Sequence, residues 1–87
     1  MSPPARRTLK SVHSDEQQLL RELLIQARED AGLTQQKLAR RLKKHQSFVA
    51  KYEGGERRLD VIELIRICRA MGTDPMPILR ALLKAIG

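Results

Sequence analysis

The chain has 87 residues, of which 41% are hydrophobic but only 2% aromatic, and carries a net charge of +7. That length holds one domain whose small core must be built from Leu, Ile, Val and Ala. No apolar run is long enough to span a bilayer, the N-terminus does not read as a secretory signal, and one cysteine makes no intramolecular disulfide. A reducing, cytoplasmic setting is therefore expected. No Cys and His residues stand at metal-ligand spacing, so no metal and no cofactor are expected.

The charge is unevenly placed. Met1–His13 carries Arg6, Arg7 and Lys10 and no acid, whereas Ser14–Leu33 sets two arginines against five acids. Thr34–Leu59 holds eight lysines and arginines against Glu53 and Glu56, and Asp60–Gly87 is close to neutral. A basic block beside near-neutral segments is the footprint of a polyanion-binding face.

Residues 1–13, with two prolines and no apolar period, read as a flexible basic arm. The domain spans 14–87. Ser14 starts its first helix as N-cap, with Gln17 placed to complete a capping box and Asp15 and Glu16 favoured by the helix dipole. Leu20, Leu24, Ala27 and Ala31 recur at helical spacing beside Leu19 and Leu23, and Gly32 ends the run. Thr34 caps a second helix over Gln35–Leu42, with Leu38, Ala39 and Leu42 facing inward.

The polar break Lys43-Lys44-His45 leads to a third helix from Gln46 to about Gly54, with Phe48 or Val49 and Tyr52 facing the core. Gly54-Gly55 closes it, and Glu56-Arg57-Arg58 makes a charged loop. Asp60 caps a fourth helix with a predicted stripe of Val61, Leu64, Ile65, Cys68 and Met71, ended by Gly72. Asp74 caps a fifth helix over about 75–86, with Pro75 at its first position and a wide apolar face of Ile78, Leu79, Leu82, Leu83 and Ile86.

Two short helices joined by about three residues cannot lie antiparallel and must cross steeply. Ala39 is small enough for the close approach. Gln46, Ser47, Ala50 and Lys51 then share the outer side of the third helix, which carries no acid and is framed by Lys43, Lys44, Arg57 and Arg58. Short donors and acceptors at the centre with cations at the rims suit a duplex groove.

The segment LTQQKLARRLKKHQSFVAKYEGGERRLD, Leu33–Asp60, resembles the Cro/cI-type helix-turn-helix family, also called the xenobiotic-response-element (XRE) family. The likeness lies in Ala31–Gln35, Leu38-Ala39, Leu42 and Gln46–Arg58, and extends over about Leu19–Leu83. It implies an all-α, compact, lambda-repressor-like bundle of five helices, with the helix-turn-helix at about 35–54. The third helix would read double-stranded DNA from the major groove, Gln46, Ser47 and Lys51 at base edges. Gln35, Lys43, Lys44, Arg57 and Arg58 would lie at phosphates, and Arg28 and Glu53 would tie the first helix to the third.

Either Arg57 or Arg58 is also placed to hold Glu53, Ser47 is equally placed to cap its helix, and His45 to touch phosphate from the turn. One departure stands out. Lys43 occupies the turn position where the family carries glycine for a left-handed backbone, at a cost on the order of 1 kcal/mol.

These readings imply a transcriptional regulator, a repressor on a palindromic operator, paired as a homodimer through the fifth helix. No nucleophile–base arrangement or glycine-rich phosphate cradle is present, so no enzymatic activity is expected. Two alternatives remain open: an antitoxin that also autoregulates, and a protein-interaction adaptor on the same fold. The antitoxin reading implies a toxin as protein partner, activation by the regulator would imply polymerase, no membrane partner is expected, and the expected location is cytoplasmic, with the nucleoid.

Overall fold

The structure, a computed structural model, describes residues 14–87; the arm expected over 1–13, with His13, lies outside the described residues. The described residues form five helices and no strand: α1 (Asp15–Asp30), α2 (Gln35–Leu42), α3 (Gln46–Glu53), α4 (Val61–Met71) and α5 (Met76–Ile86).

Short polar side chains set most helix starts by accepting otherwise unpaired amides. Ser14 Oγ accepts from the Gln17 amide at 3.1 Å, the backbone half of the expected box. Thr34 Oγ1 does the same for Lys37 at 3.1 Å. At α4 the box is complete: Asp60 Oδ1 accepts from the Glu63 amide at 2.8 Å and Glu63 Oε1 from the Asp60 amide at 3.0 Å. Asp74 Oδ1 accepts from the Met76 amide at 3.0 Å, while Pro75, already helical at φ −72°, leads into α5.

Leu24, Leu38, Val49, Tyr52, Ile67 and Cys68 are fully buried, closed over by Leu33, Ala39, Leu64, Met71 and Ile78. Each such aliphatic side chain contributes about 1.5–3 kcal/mol by leaving water. The packing runs α2 against α3 and α4, and α1 against α3 and α5. Ala39 is buried in this core, where its small side chain permits close helix contact. Of the two candidates on α3, Val49 enters the core and Phe48 is only partly covered. Burial raises the Cys68 thiol above its ordinary pKa, as expected of an unreactive core cysteine.

The predicted stripe of α4 needs correction. Val61 is 56% exposed and Ile65 38%, while Ile67, left out of the stripe, is buried. The stripe that packs is Leu64, Ile67, Cys68 and Met71, an i, i+3, i+4, i+7 set. Apolar residues also stand at 61, 62 and 65, so periodicity alone did not select the face that meets the other helices. On α5, Ile78 is buried and Leu79 and Leu82 pack partly, whereas Leu83 and Ile86 face outward.

Candidate nucleic-acid interface

The turn between α2 and α3 is built on Lys43, which holds φ 58° and ψ 42° and is the non-glycine residue with positive φ among those described. In this conformation its amide donates to the Arg40 carbonyl at 3.1 Å and the Lys44 amide to Ala39 at 2.9 Å. Those bonds close the C-terminus of α2 as a glycine would, so the substitution costs local strain and leaves the motif intact.

The next helix starts at Gln46 as expected, but on a cap that the sequence did not point to. His45, in extended backbone, is the N-cap of α3, its Nδ1 accepting from the Ser47 amide at 3.1 Å and lying 3.0 Å from Ser47 Oγ. Accepting from an amide requires the neutral ring with its proton on Nε2, which leaves that N–H as the ring's outward donor. Histidine is not among the usual capping residues, so no pattern in the sequence pointed to this role. Ser47 is the capped residue and keeps its side chain exposed at the helix start.

Beyond the cap, Gln46, Ser47, Ala50 and Lys51 are all exposed, while Val49, Tyr52 and Glu53 of the same helix are buried. The one acid of α3 is therefore turned inward. Arg28 Nε donates to Glu53 Oε2 at 2.7 Å and Nη2 to Oε1 at 3.1 Å, with side chains only 12% and 4% exposed. Arg28 Nη1 also donates to the Leu33 carbonyl at 2.9 Å. Fully engaged in this way, the pair joins α1, the turn before α2 and α3.

Gln35 belongs to the same cluster: its Nε2 donates to Glu53 Oε1 at 2.8 Å. One amide proton and the side-chain carbonyl are not used by that bond. The expectation that Arg57 or Arg58 holds Glu53 is corrected, because Arg28 and Gln35 already take its two oxygens.

Arg57 is held elsewhere. Its Nη1 and Nη2 donate to Glu63 at 3.0 and 2.7 Å, Nη1 also reaches the Arg58 carbonyl at 2.9 Å, and its guanidinium stands 4.8 Å from the centre of the Phe48 ring. Lys44 Nζ lies 5.4 Å from the same centre, so the ring attracts two cations by its π-face. Arg57, first, and the Asp60 amide, second, bring the Glu63 carboxyl down to about 2. Charge spacing along the sequence could not have found this pair, since Arg57 and Glu63 meet across a loop and a helix start.

Lys43, Lys44 and Arg58 are exposed around α3. A shallow groove lined by Gln36, Ala39, Arg40, Lys44, His45 and Gln46 runs between α2 and the start of α3. It adds Arg40 and Gln36 to the surface expected from the sequence. The outer side of α3 presents donors and a cation, the helix's own acid, Glu53, being withdrawn into the core.

A family profile described as Helix-turn-helix matches residues 24–78. Among solved structures, the chain is similar to an XRE-family like protein from Pseudomonas syringae pv. tomato str. DC3000, with a TM-score of 0.82 and 47% identity, covering 95% of this chain and 98% of that one. A search of curated proteins gives no significant match. The match spans the motif, its supporting helices and most of the core, and the chain belongs to the XRE-type helix-turn-helix family of DNA-binding transcription regulators.

Proposed function

We infer that this chain is a repressor that binds a palindromic DNA operator as a homodimer. The observation that carries the reading is the outer side of α3, where Gln46, Ser47, Ala50 and Lys51 are exposed together and the helix's acid is buried. In this reading Gln46, Ser47 and Lys51 meet base edges in the major groove, with Gln35, Lys43, Lys44 and Arg58 along the phosphate rims and Arg57 beside Arg58 in the same loop. A half-site of about 4–5 base pairs gives little discrimination, so two copies with recognition helices about 34 Å apart read one operator. A dimer seated across a promoter blocks polymerase by occupancy. The outward-facing Met76, Leu83 and Ile86 on α5 offer an apolar surface for pairing.

The exposed Val61 and Ile62 on α4 favour a second reading, in which one apolar surface pairs copies and the other takes a protein partner such as a toxin.

Selection of bound fragments from genomic DNA, followed by a salt series on Lys51→Ala and Arg58→Ala, tests the main reading. An enriched palindrome is expected. Lys51→Ala should lower preference among half-site sequences by about 1–3 kcal/mol, whereas Arg58→Ala should weaken all duplexes alike and flatten the salt slope by about 0.9. Uniform binding with no enriched site, unchanged by either substitution, overturns it.

A further inference from the structure

We propose that Glu63 withholds Arg57 from the DNA backbone, so that the loop after α3 offers the phosphates one free arginine and not two. The proposal rests on α3 being the duplex-reading helix. Two arginines stand side by side in that loop. Arg58 is exposed, and its guanidinium has no partner among the described residues. Arg57 is tethered: Glu63 takes two of its N–H groups in a fork at 3.0 and 2.7 Å, and one of those nitrogens is shared with the Arg58 carbonyl.

The carboxylate is itself fixed in place. Glu63 Oε1 accepts the Asp60 amide at 3.0 Å, and the Glu63 amide donates to Asp60 Oδ1 at 2.8 Å. Glu63 is thus anchored to the first turn of α4 and cannot follow Arg57 outward. On its other side the guanidinium is drawn to the Phe48 ring, 4.8 Å from its centre, so the tether also sets Arg57 against the recognition helix.

An arginine paired at hydrogen-bond distance presents a dipole to a phosphate several ångströms away, and the Coulombic pull of its charge is largely cancelled there. Arg57 and Glu63 side chains are 41% and 23% exposed, so the pair is screened and weak enough to be broken by a single substitution. Sequence-independent affinity is carried by released counterions, about one per neutralised phosphate. Removing one cation from that count limits binding to bulk DNA while Gln46, Ser47 and Lys51 stay in place for base edges.

The test uses the full chain and a random-sequence duplex in a salt series, with Glu63→Gln, Arg57→Gln and the double variant. The amide oxygen of glutamine still accepts the Asp60 amide, so the helix start is preserved while the ion pair is lost. Glu63→Gln is expected to bind several-fold tighter, with a log–log salt slope steeper by about 0.9. Arg57→Gln, which needs no change at the α4 cap, is expected to leave the slope of the parent chain where it is, and the double variant to match it. A flatter slope in Arg57→Gln overturns the proposal. So does a gain from Glu63→Gln that persists undiminished once Arg57 is already glutamine, because that gain would be a field effect of the lost charge alone. Absence of duplex binding in all four proteins overturns the DNA-reading assignment of α3 itself.

Discussion

Backbone strain in this interface sits at Lys43. Lys43 occupies left-handed backbone at φ 58° because the turn between α2 and α3 demands it, and its Cβ meets the crowding that glycine avoids. The position also places a cation at the rim. Lys43→Gly is therefore expected to stabilise the fold by about 1 kcal/mol and to weaken binding to every duplex, a divergence read by thermal unfolding and a DNA titration on the same protein. Glu63 gives a second residue-level outcome, this one in pH. Its carboxyl lies at about 2 in the folded chain against an ordinary value of 4.5, through Arg57 first and the Asp60 amide second. A depressed carboxyl contributes stability that is whole above the ordinary value and is lost as pH falls from about 4.5 toward 2. The difference in stability between the parent chain and Glu63→Gln should be flat through neutral pH and should close across that acid window, as followed by denaturant melts at stepped pH. A difference that is constant down to pH 2 would show that the ion pair is not its source.

At the scale of elements, α3 is short, and eight residues hold a helix only when its ends are satisfied and one face is packed. The packed face is Val49 and Tyr52; the N-terminal end depends on His45. His45→Ala should cost about 0.5–2 kcal/mol, and His45→Asn or His45→Ser should restore most of it; circular dichroism melts compare the three. A loss in His45→Ala that neither asparagine nor serine restores would mean the ring contributes by packing and not by capping. Much else at this scale was legible in the sequence. Ser14, Thr34 and Asp60 are capping types followed by apolar periods, and Gly32 and Gly72 close their helices at φ +72°, so boundaries followed from local chemistry. The acid-free outer side of α3 was legible for the same reason, because helical spacing alone groups Gln46, Ser47, Ala50 and Lys51. What was not legible depends on tertiary approach. Gln35 meets Glu53 across 18 residues, Arg57 finds Glu63 across a loop, and α4 has too many apolar residues for its period to choose Ile67 over Val61 and Ile65. His45 escaped because its capping nitrogen belongs to a side chain seldom used that way.

The folded monomer as a whole leaves apolar surface uncovered. The small core is complete with Ile78 and partial cover from Leu79 and Leu82, yet α5 continues through Leu83 and Ile86, which are 69% and 67% exposed. Large aliphatic residues adjacent on one exposed helix end are a surface that association would bury, at about 25 cal/mol for each Å² removed from water. The proposed pairing through α5 would have to set both recognition helices on one side of a two-fold dimer, as a palindrome requires. Because these side chains contribute little to the monomer's core, Leu83→Ser with Ile86→Ser should change its unfolding free energy by no more than about 0.5 kcal/mol each. Sedimentation velocity should show the variant as a monomer at concentrations where the parent chain is a dimer. Its operator titration should lose the tight, two-copy step and keep the weak, salt-sensitive binding of a single half-site. A variant that stays dimeric would move the pairing surface to Val61 and Ile62 on α4, the other exposed apolar face, and the matching pair of serine substitutions there should then give the monomer.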